Sequence, residues 1–294
     1  MSDASSPRLF VTGASGQLGR LVVDALLTRV PAERIVAGLR DPAGAAAASF
    51  RDRGIAVRVA DYARPDTLTA AFAGIDRLLL ISSSEIGQRV AQHRNVVEAA
   101  KAAGVGFLAY TSVLRADTSP LGLAEEHRRS EALVTGSGLP YALLRNGWYT
   151  ENYTASIPPA LAHGVFLGSA GEGRIASAAR IDYAEAAAAV LTAPEVQAGR
   201  TYELAGDAAY TLAQFAETVA ALSGKPVAYR DLPEAEFKAA LLGAGLPDFV
   251  ASLLADSDAA AAKGALDDDG HALSTLIGRP TTPFADTIAA ALKG

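Results

Sequence analysis

The chain has 294 residues, half of them hydrophobic, with a formal net charge of -6, four histidines and no cysteine. That length fits one large domain or two coupled ones, and the missing cysteine excludes disulfides, thiolate nucleophiles and cysteine zinc sites. Lys and Arg are scattered, which leaves no basic footprint for nucleic acid. No metal-ligand spacing joins His93, His127, His163 and His271, so no metal site is expected.

Short aliphatic runs alternate with longer helical ones through the first half. RLFVTG reads as a strand and GQLGRLVVDALLTRV as a helix with Leu18, Val22 and Leu26 on one face. RIVAGLR is the next strand, followed by helix AGAAAASFRDRG and strand IAVRVADY. A short helix, TLTAAFAG, precedes strand IDRLLLISSS. Helix RVAQHRNVVEAAKAAG, strand VGFLAYTSV, helix LAEEHRRSEALVTGSG and strand PYALLRNG complete the series. Unbroken apolar strands joined by helices imply a parallel sheet covered on both faces, and right-handed crossovers make it doubly wound. The expected class is α/β, a doubly wound Rossmann fold. After about residue 150 helices dominate: ARIDYAEAAAAVLTA, TLAQFAETVAALSG, AEFKAALLGAG and PDFVASLLADS, with short strands RTYELAG and PVAYRDL. Residues 1–150 are expected to bind a dinucleotide and residues 151–294 to form a smaller, mainly helical lobe, with ARIDYAEAAAAV a candidate to fold back onto the first. The run Asp267-Asp268-Asp269-Gly270 reads as a solvated turn before a helix. MSDASSPRLF carries no signal-peptide pattern and the strand after it is too short to span a bilayer, so a cytoplasmic protein is expected.

The first strand runs directly into Gly13, Ala14, Ser15, Gly16, Gln17, Leu18 and Gly19, which open the first helix. A pyrophosphate needs close backbone approach and unpaired N–H groups, and glycines remove the Cβ atoms in its way. Gly19, one turn in, permits close helix–strand packing. About 20 positions on, where the second strand meets the adenosine ribose, stand Arg40 and Asp41. A guanidinium suits a 2′-phosphate, which favours NADPH with NADH weaker. A solvated loop arginine is the other reading. Asp41 either binds a ribose hydroxyl or pairs with Arg40. Asp61 ends the third strand within reach of an adenine amine. Leu80, Ile81 and Ser82 end the fourth strand, as a ribose and pyrophosphate track or as core plus a helix cap. After the sixth strand, Leu144, Arg145, Asn146, Gly147, Trp148 and Tyr149 form either a polar contact with an aromatic wall or a buried aromatic hinge.

Taken together, VTGASGQLG, Arg40, LLLISSS, AYTSV, LLRNGWY and RTYELAGD resemble the NmrA-like group of atypical short-chain reductases. Within it, LISSSEIGQR, ADTSPLGLA and LRNGWYTENY resemble the bacterial type 2 NAD(P)H:quinone oxidoreductases. The resemblance implies NADPH held by the glycine loop, Arg40, the end of the fourth strand and the Asn146 segment. It also implies a quinone in a cleft between lobes. Asn146 is a candidate to hydrogen-bond the nicotinamide carboxamide or the quinone oxygen, and Tyr149 to form a wall of the pocket; the expected partner is a small quinone, with no membrane partner and a homodimer as a candidate assembly. Related triphenylmethane dye reductases and dinucleotide-sensing regulators supply the alternatives. One departure stands out. A reductase of this superfamily carries a tyrosine and, four residues later, a lysine; LGLAEEHRRSE has Leu123 and His127 there, while Ser112 keeps the serine position. His127 is expected either to orient the nicotinamide ribose or to stand as a polar helix residue in solvent. A ketone would need the missing acid, because its product is an alkoxide. A quinone does not, because its reduced ring is a phenolate that water protonates.

Overall fold

The computed structural model describes residues 6–293. The first five residues of MSDASSPRLF lie outside the described residues, so the signal-peptide expectation is not addressed there. The strands are β1 (Leu9–Val11), β2 (Ile35–Leu39), β3 (Ala56–Val59), β4 (Arg77–Leu80), β5 (Phe107–Val113), β6 (Tyr141–Asn146), β7 (Val165–Gly168), β8 (Arg200–Leu204) and β9 (Ala228–Asp231). Seven form one sheet in the order β3-β2-β1-β4-β5-β6-β8. The pairs β1–β2, β1–β4, β2–β3, β4–β5 and β5–β6 are parallel. The order reverses at β1, which is the switch point where an open α/β sheet forms a crevice beyond its strand ends. β1, β2, β4 and β5 are buried throughout, as near-continuous apolar strands covered on both faces must be.

The helices that matter here are α1 (Gln17–Leu27), α2 (Ala45–Asp52), α3 (Pro65–Phe72), α4 (Arg89–Ala102) and α5 (Ala124–Thr135). Phe10, Val36, Leu68, Phe72, Leu78, Leu80, Val96, Leu108, Tyr110 and Leu143 share one core, with the Phe10 and Phe72 rings edge to face at 5.0 Å.

The chain divides into two compact units, one of Met1–Ala116, Glu126–Asn146 and Tyr183–Tyr202, the other of Asp117–Glu125, Gly147–Asp182 and Glu203–Gly294. The division falls after Asn146 rather than at residue 150, and neither unit is continuous in sequence. Most of α8 (Arg180–Thr192) belongs to the first unit. Its Ala186, Ala187, Val190 and Leu191 are buried, and the Arg77 guanidinium in β4 donates to Leu191 O at 2.8 Å and Ala193 O at 2.7 Å. These bonds satisfy carbonyls that a helix C-terminus leaves open. RTYELAG, expected among the strands of the smaller lobe, instead provides β8 beside β6 in the main sheet.

The second unit contains its own two-stranded parallel sheet, β7 with β9. Around it stand α6 (Thr150–Thr154), α7 (Ile157–His163), α9 (Leu212–Ser223), α10 (Glu234–Gly243), α11 (Asp248–Ala261), α12 (Ala272–Ile277) and α13 (Phe284–Ala291). Tyr153, Phe166, Tyr210, Phe215 and Phe284 form its aromatic core. Asp258 is buried there, accepting from Tyr153 Oη and Ser169 N, each at 3.0 Å. The Asp267–Gly270 run is a turn before α12, closed by Gly270 N donating to Asp268 Oδ2 at 3.0 Å. Among the described residues no group of His, Asp and Glu forms a metal cluster.

Candidate functional site

The parallel register brings the carboxyl ends of β1, β4, β5 and β6 into one row. Val11 lies opposite Leu79, Leu80 opposite Tyr110, Ser112 opposite Arg145 and Val113 opposite Asn146. At the first of these ends Gly13 turns at φ 57°, the left-handed region that favours glycine. Gly16 caps α1 with no side-chain bond, and no acid stands in the first turn. Gly16 N donates to Gly13 O, and the first intrahelical bond runs from Arg20 N to Gly16 O at 3.0 Å. The N–H groups of Gln17, Leu18 and Gly19 therefore have no intrahelical acceptor. Gly19 allows the close packing expected of it: a Cβ there would lie 2.3 Å from Gly13 O and 2.7 Å from Ala14 Cα. Ser15 O accepts from Arg20 Nε at 2.8 Å, which pins the loop.

Beneath the loop is a support that sequence reading missed. The Tyr62 hydroxyl lies 2.8 Å from Ile81 O and also meets Thr12 Oγ1; Ile81 N donates to Thr12 Oγ1 at 3.0 Å, and Thr12 Oγ1 donates to Leu79 O at 2.9 Å. Burial holds the Tyr62 phenol above its ordinary range, so it acts as a neutral hydrogen-bonding post. Ser82 N donates to Thr111 Oγ1 at 2.9 Å. The only signal in the sequence was Tyr62 three residues past the β3 end, one residue beyond Asp61.

The remaining expected residues divide by what their side chains already do. Arg40 is 71% exposed and its Nη1 donates to Glu85 Oε1 at 2.9 Å. Its partner is thus Glu85, not Asp41, which accepts from Ala43 N at 2.9 Å. Asp61 accepts from Ala63 N at 3.0 Å and Arg64 Nε at 3.2 Å, an Asx-type turn. Leu80 and Leu144 are fully buried, so their side chains belong to the core and only backbone is available at those positions. Arg145 makes a bidentate pair with Glu131, Nε to Oε1 at 2.9 Å and Nη2 to Oε2 at 2.8 Å, with both groups buried. Asn146 ends β6 and its carbonyl accepts from Leu114 N at 2.9 Å.

Gly147, Trp148 and Tyr149 belong to the second unit. Gly147 N donates to Leu204 O, and Trp148 O and Thr150 N bracket Ala178 in short bridges. Trp148 is buried beside Tyr153, whereas Tyr149 is half-buried with the Arg180 guanidinium 4.7 Å over its ring.

His127 sits where neither expectation put it in full. It is 5% exposed, which overturns the solvent-facing reading, and its Nδ1 lies 2.8 Å from Tyr110 Oη. Burial, then the neighbouring Arg89 and His93, hold its pKa well below the ordinary histidine value, so the ring is neutral at physiological pH. His93 is neutral for the same reason: burial, then Arg89, pushes it down to about 3. Ser83 N donates to His93 Nε2 at 2.9 Å, which leaves the proton on Nδ1, 2.9 Å from Ser130 Oγ; that hydroxyl donates on to Glu126 O at 2.7 Å. Ser112 Oγ, one alternation along β5 from Tyr110, is buried with no hydrogen-bond partner. A buried hydroxyl left open in this way is what a ligand oxygen satisfies.

The model of a family described as NAD(P)H-binding matches residues 13–194. The chain belongs to that family. The matched segment begins at the glycine turn and takes in the carboxyl ends of β4, β5 and β6. Over 278 residues the chain is 57% identical to quinone oxidoreductase 2 of Escherichia coli strain K12, covering 95% of this chain and 96% of that one. The crystal structure of an NADPH-dependent quinone oxidoreductase from E. coli, complexed with NADPH, superposes with a TM-score of 0.93 at 56% identity, over 97% of this chain and 99% of that one. The triphenylmethane reductase of Citrobacter sp., complexed with NADP(H), superposes with a TM-score of 0.91 at 36% identity, over 96% and 99% of the two chains.

The first unit fits a dinucleotide on its own geometry. The turn at Gly13 and the bare Gly16 leave room for a pyrophosphate, three amides lack intrahelical acceptors, and Arg40 retains Nε and Nη2 for a 2′-phosphate.

Proposed function

We propose that the protein is an NADPH-dependent oxidoreductase that passes hydride directly to a quinone, with neither flavin nor a protein proton donor. The observation that carries this reading is the absent acid: Leu123 stands at the tyrosine position, and His127, at the lysine position, is buried with its Nδ1 2.8 Å from Tyr110 Oη. NADPH supplies the hydride when bound. The chain's own part is to hold and to orient. The Gln17–Gly19 amides and the α1 dipole receive the pyrophosphate, and Arg40 receives the 2′-phosphate. The unpartnered Ser112 hydroxyl and the Asn146 amide are the donors for acceptor oxygens. Orientation alone supplies roughly 7–11 kcal/mol in favourable cases. The reduced quinone is an aromatic phenolate, so its proton comes from water afterwards. The 57% identity to quinone oxidoreductase 2 supports this acceptor class. The 36% identity to a triphenylmethane reductase supports a second one, a triphenylmethane dye.

No described helix is long and apolar enough to cross a membrane. We read the enzyme as cytoplasmic and as acting on a small quinone rather than on nucleic acid. NADPH oxidation with 1,4-benzoquinone, set against a protein-free blank, tests the reading. Steady turnover is expected. NADPH binding with no turnover on any quinone or dye would instead identify a dinucleotide sensor.

A further inference from the structure

The Arg40–Glu85 pair joins the ends of the two strands that flank β1. Arg40 follows β2, and Glu85 lies in the loop between β4 and α4. Glu85 is 47% exposed yet firmly held. Its Oε2 accepts from Gln92 Nε2 at 2.6 Å and its N donates to Ser83 Oγ at 3.1 Å. Ser83 Oγ also bonds Gln92 Oε1, and Ser83 O accepts from Arg89 Nε at 2.8 Å. Ser83, Arg89, Gln92 and His93 are all buried. A fixed carboxylate therefore faces an exposed arginine that it holds through one nitrogen, Nη1. An exposed pair of this kind contributes little to stability, so stability does not explain why a buried network should aim the carboxylate.

We infer that Glu85 is a specificity-determining residue that limits the preference for NADPH over NADH. This rests on the reading of Arg40 as the 2′-phosphate ligand. The phosphate carries about two negative charges near neutral pH. Glu85 opposes it twice, by occupying the Arg40 guanidinium and by repelling a like charge across it. Neither effect touches NADH, whose 2′-hydroxyl is neutral and gains from a nearby acceptor, as acids at this ribose position show. Glu85 thus keeps both dinucleotides within reach of one site.

The test is equilibrium binding of NADPH and NADH to the wild type, Glu85→Gln and the double variant Arg40→Ala/Glu85→Gln, at low and high salt. Glu85→Gln is expected to tighten NADPH by roughly 3- to 10-fold at low salt and to leave NADH equal or weaker. The gain shrinks at high salt and shrinks again without Arg40. Glu85→Ser, with thermal melting to establish folding, gives the same comparison should the glutamine variant fold poorly. Unchanged or weaker NADPH binding in both folded single variants would overturn the inference, and would show that Glu85 merely pre-orients Arg40. An NADPH gain that persists in full at high salt and without Arg40 would also overturn it. Failure of the wild type to bind either dinucleotide, by contrast, would overturn the cofactor reading itself.

Discussion

The glycine turn at Gly13–Gly19 and the α5 segment Glu126–Glu131, which carries His127, have opposite characters. The turn is open: no side chain caps α1, and the amides of its first turn lack intrahelical acceptors. The α5 segment is closed. His127 is tied to Tyr110, Ser130 to His93, and Glu131 to Arg145, all buried. Unspent donors mark a place that awaits an anion; a completed network marks a place that has become part of the fold. On the function proposed above, binding falls to the turn, packing to α5 and proton delivery to water.

The largest expected effect comes from filling the open region. Gly16→Val should weaken NADPH by about a thousandfold or more, since the side chain displaces the pyrophosphate and its several charge-assisted bonds. The first added atom meets only Gly13 O at 3.2 Å, so circular dichroism should report a folded protein. Retained affinity in that folded variant would break the assignment of the turn. Gly19→Ala is the contrasting case: its Cβ collides with backbone at 2.3 Å, so stability should fall with affinity, by about 1–3 kcal/mol.

A smaller effect belongs to Arg40. Arg40→Ala should cut NADPH affinity by about 10- to 100-fold, the range for hydrogen bonds to a charged group, while NADH changes little. A titration of both cofactors reads the ratio. An unchanged ratio would make Arg40 a solvated loop residue paired with Glu85 and nothing more.

The closed region makes a prediction about pH. His93 is neutral in the fold, pushed down to about 3 by burial and Arg89, and protonates near 6.5 when unfolded. Below pH 6.5 the unfolded chain binds the extra proton, so this contribution is complete above 6.5 and is lost as the pH falls toward 3. His127 acts in the same sense. The loss is about 1.4 kcal/mol per pH unit for each histidine. Asp258 works against them: burial raises it to about 6 from 3.8, so below pH 6 its folded form holds the proton and gains stability. Urea unfolding of His93→Gln between pH 6.5 and 4.5 should therefore show a slope shallower than wild type by about 1.4 kcal/mol per pH unit. An identical slope would mean that His93 is charged in the fold.

How much of this was legible in the sequence follows the range of each interaction. β1 to β6 and the glycine turn are local patterns, apolar runs and a Gly spacing, and they stand where the pattern puts them. Arg40 was legible by its distance from the glycines, but its partner Glu85 lies 45 positions away and only the strand order β2-β1-β4 joins them. Tyr62, Thr12 and Ile81 meet for the same reason. Arg145 and Leu80 looked like site residues because they neighbour the site in sequence; period-two alternation turns their side chains to Glu131 and to the core. In the second unit α6, α7 and β7 were not foreseen, since they are short and begin among prolines and polar residues. The return of α8 to the first unit was legible in ARIDYAEAAAAV, whereas β8, with only Leu204 buried, carries no apolar pattern that marks it for the main sheet.

The contrast between the open turn and the closed α5 segment is tested most directly by single-turnover hydride transfer from bound NADPH to 1,4-benzoquinone, followed against pH in wild type and His127→Ala. With water as the proton source, the wild-type rate should be flat from about pH 5.5 to 8, and a folded His127→Ala should stay within roughly tenfold of it, below the 10²–10⁴ typical of losing a general acid. A wild-type titration near the histidine pKa that vanishes in a folded His127→Ala, together with a loss on the order of a thousandfold, would show that His127 is the acid after all.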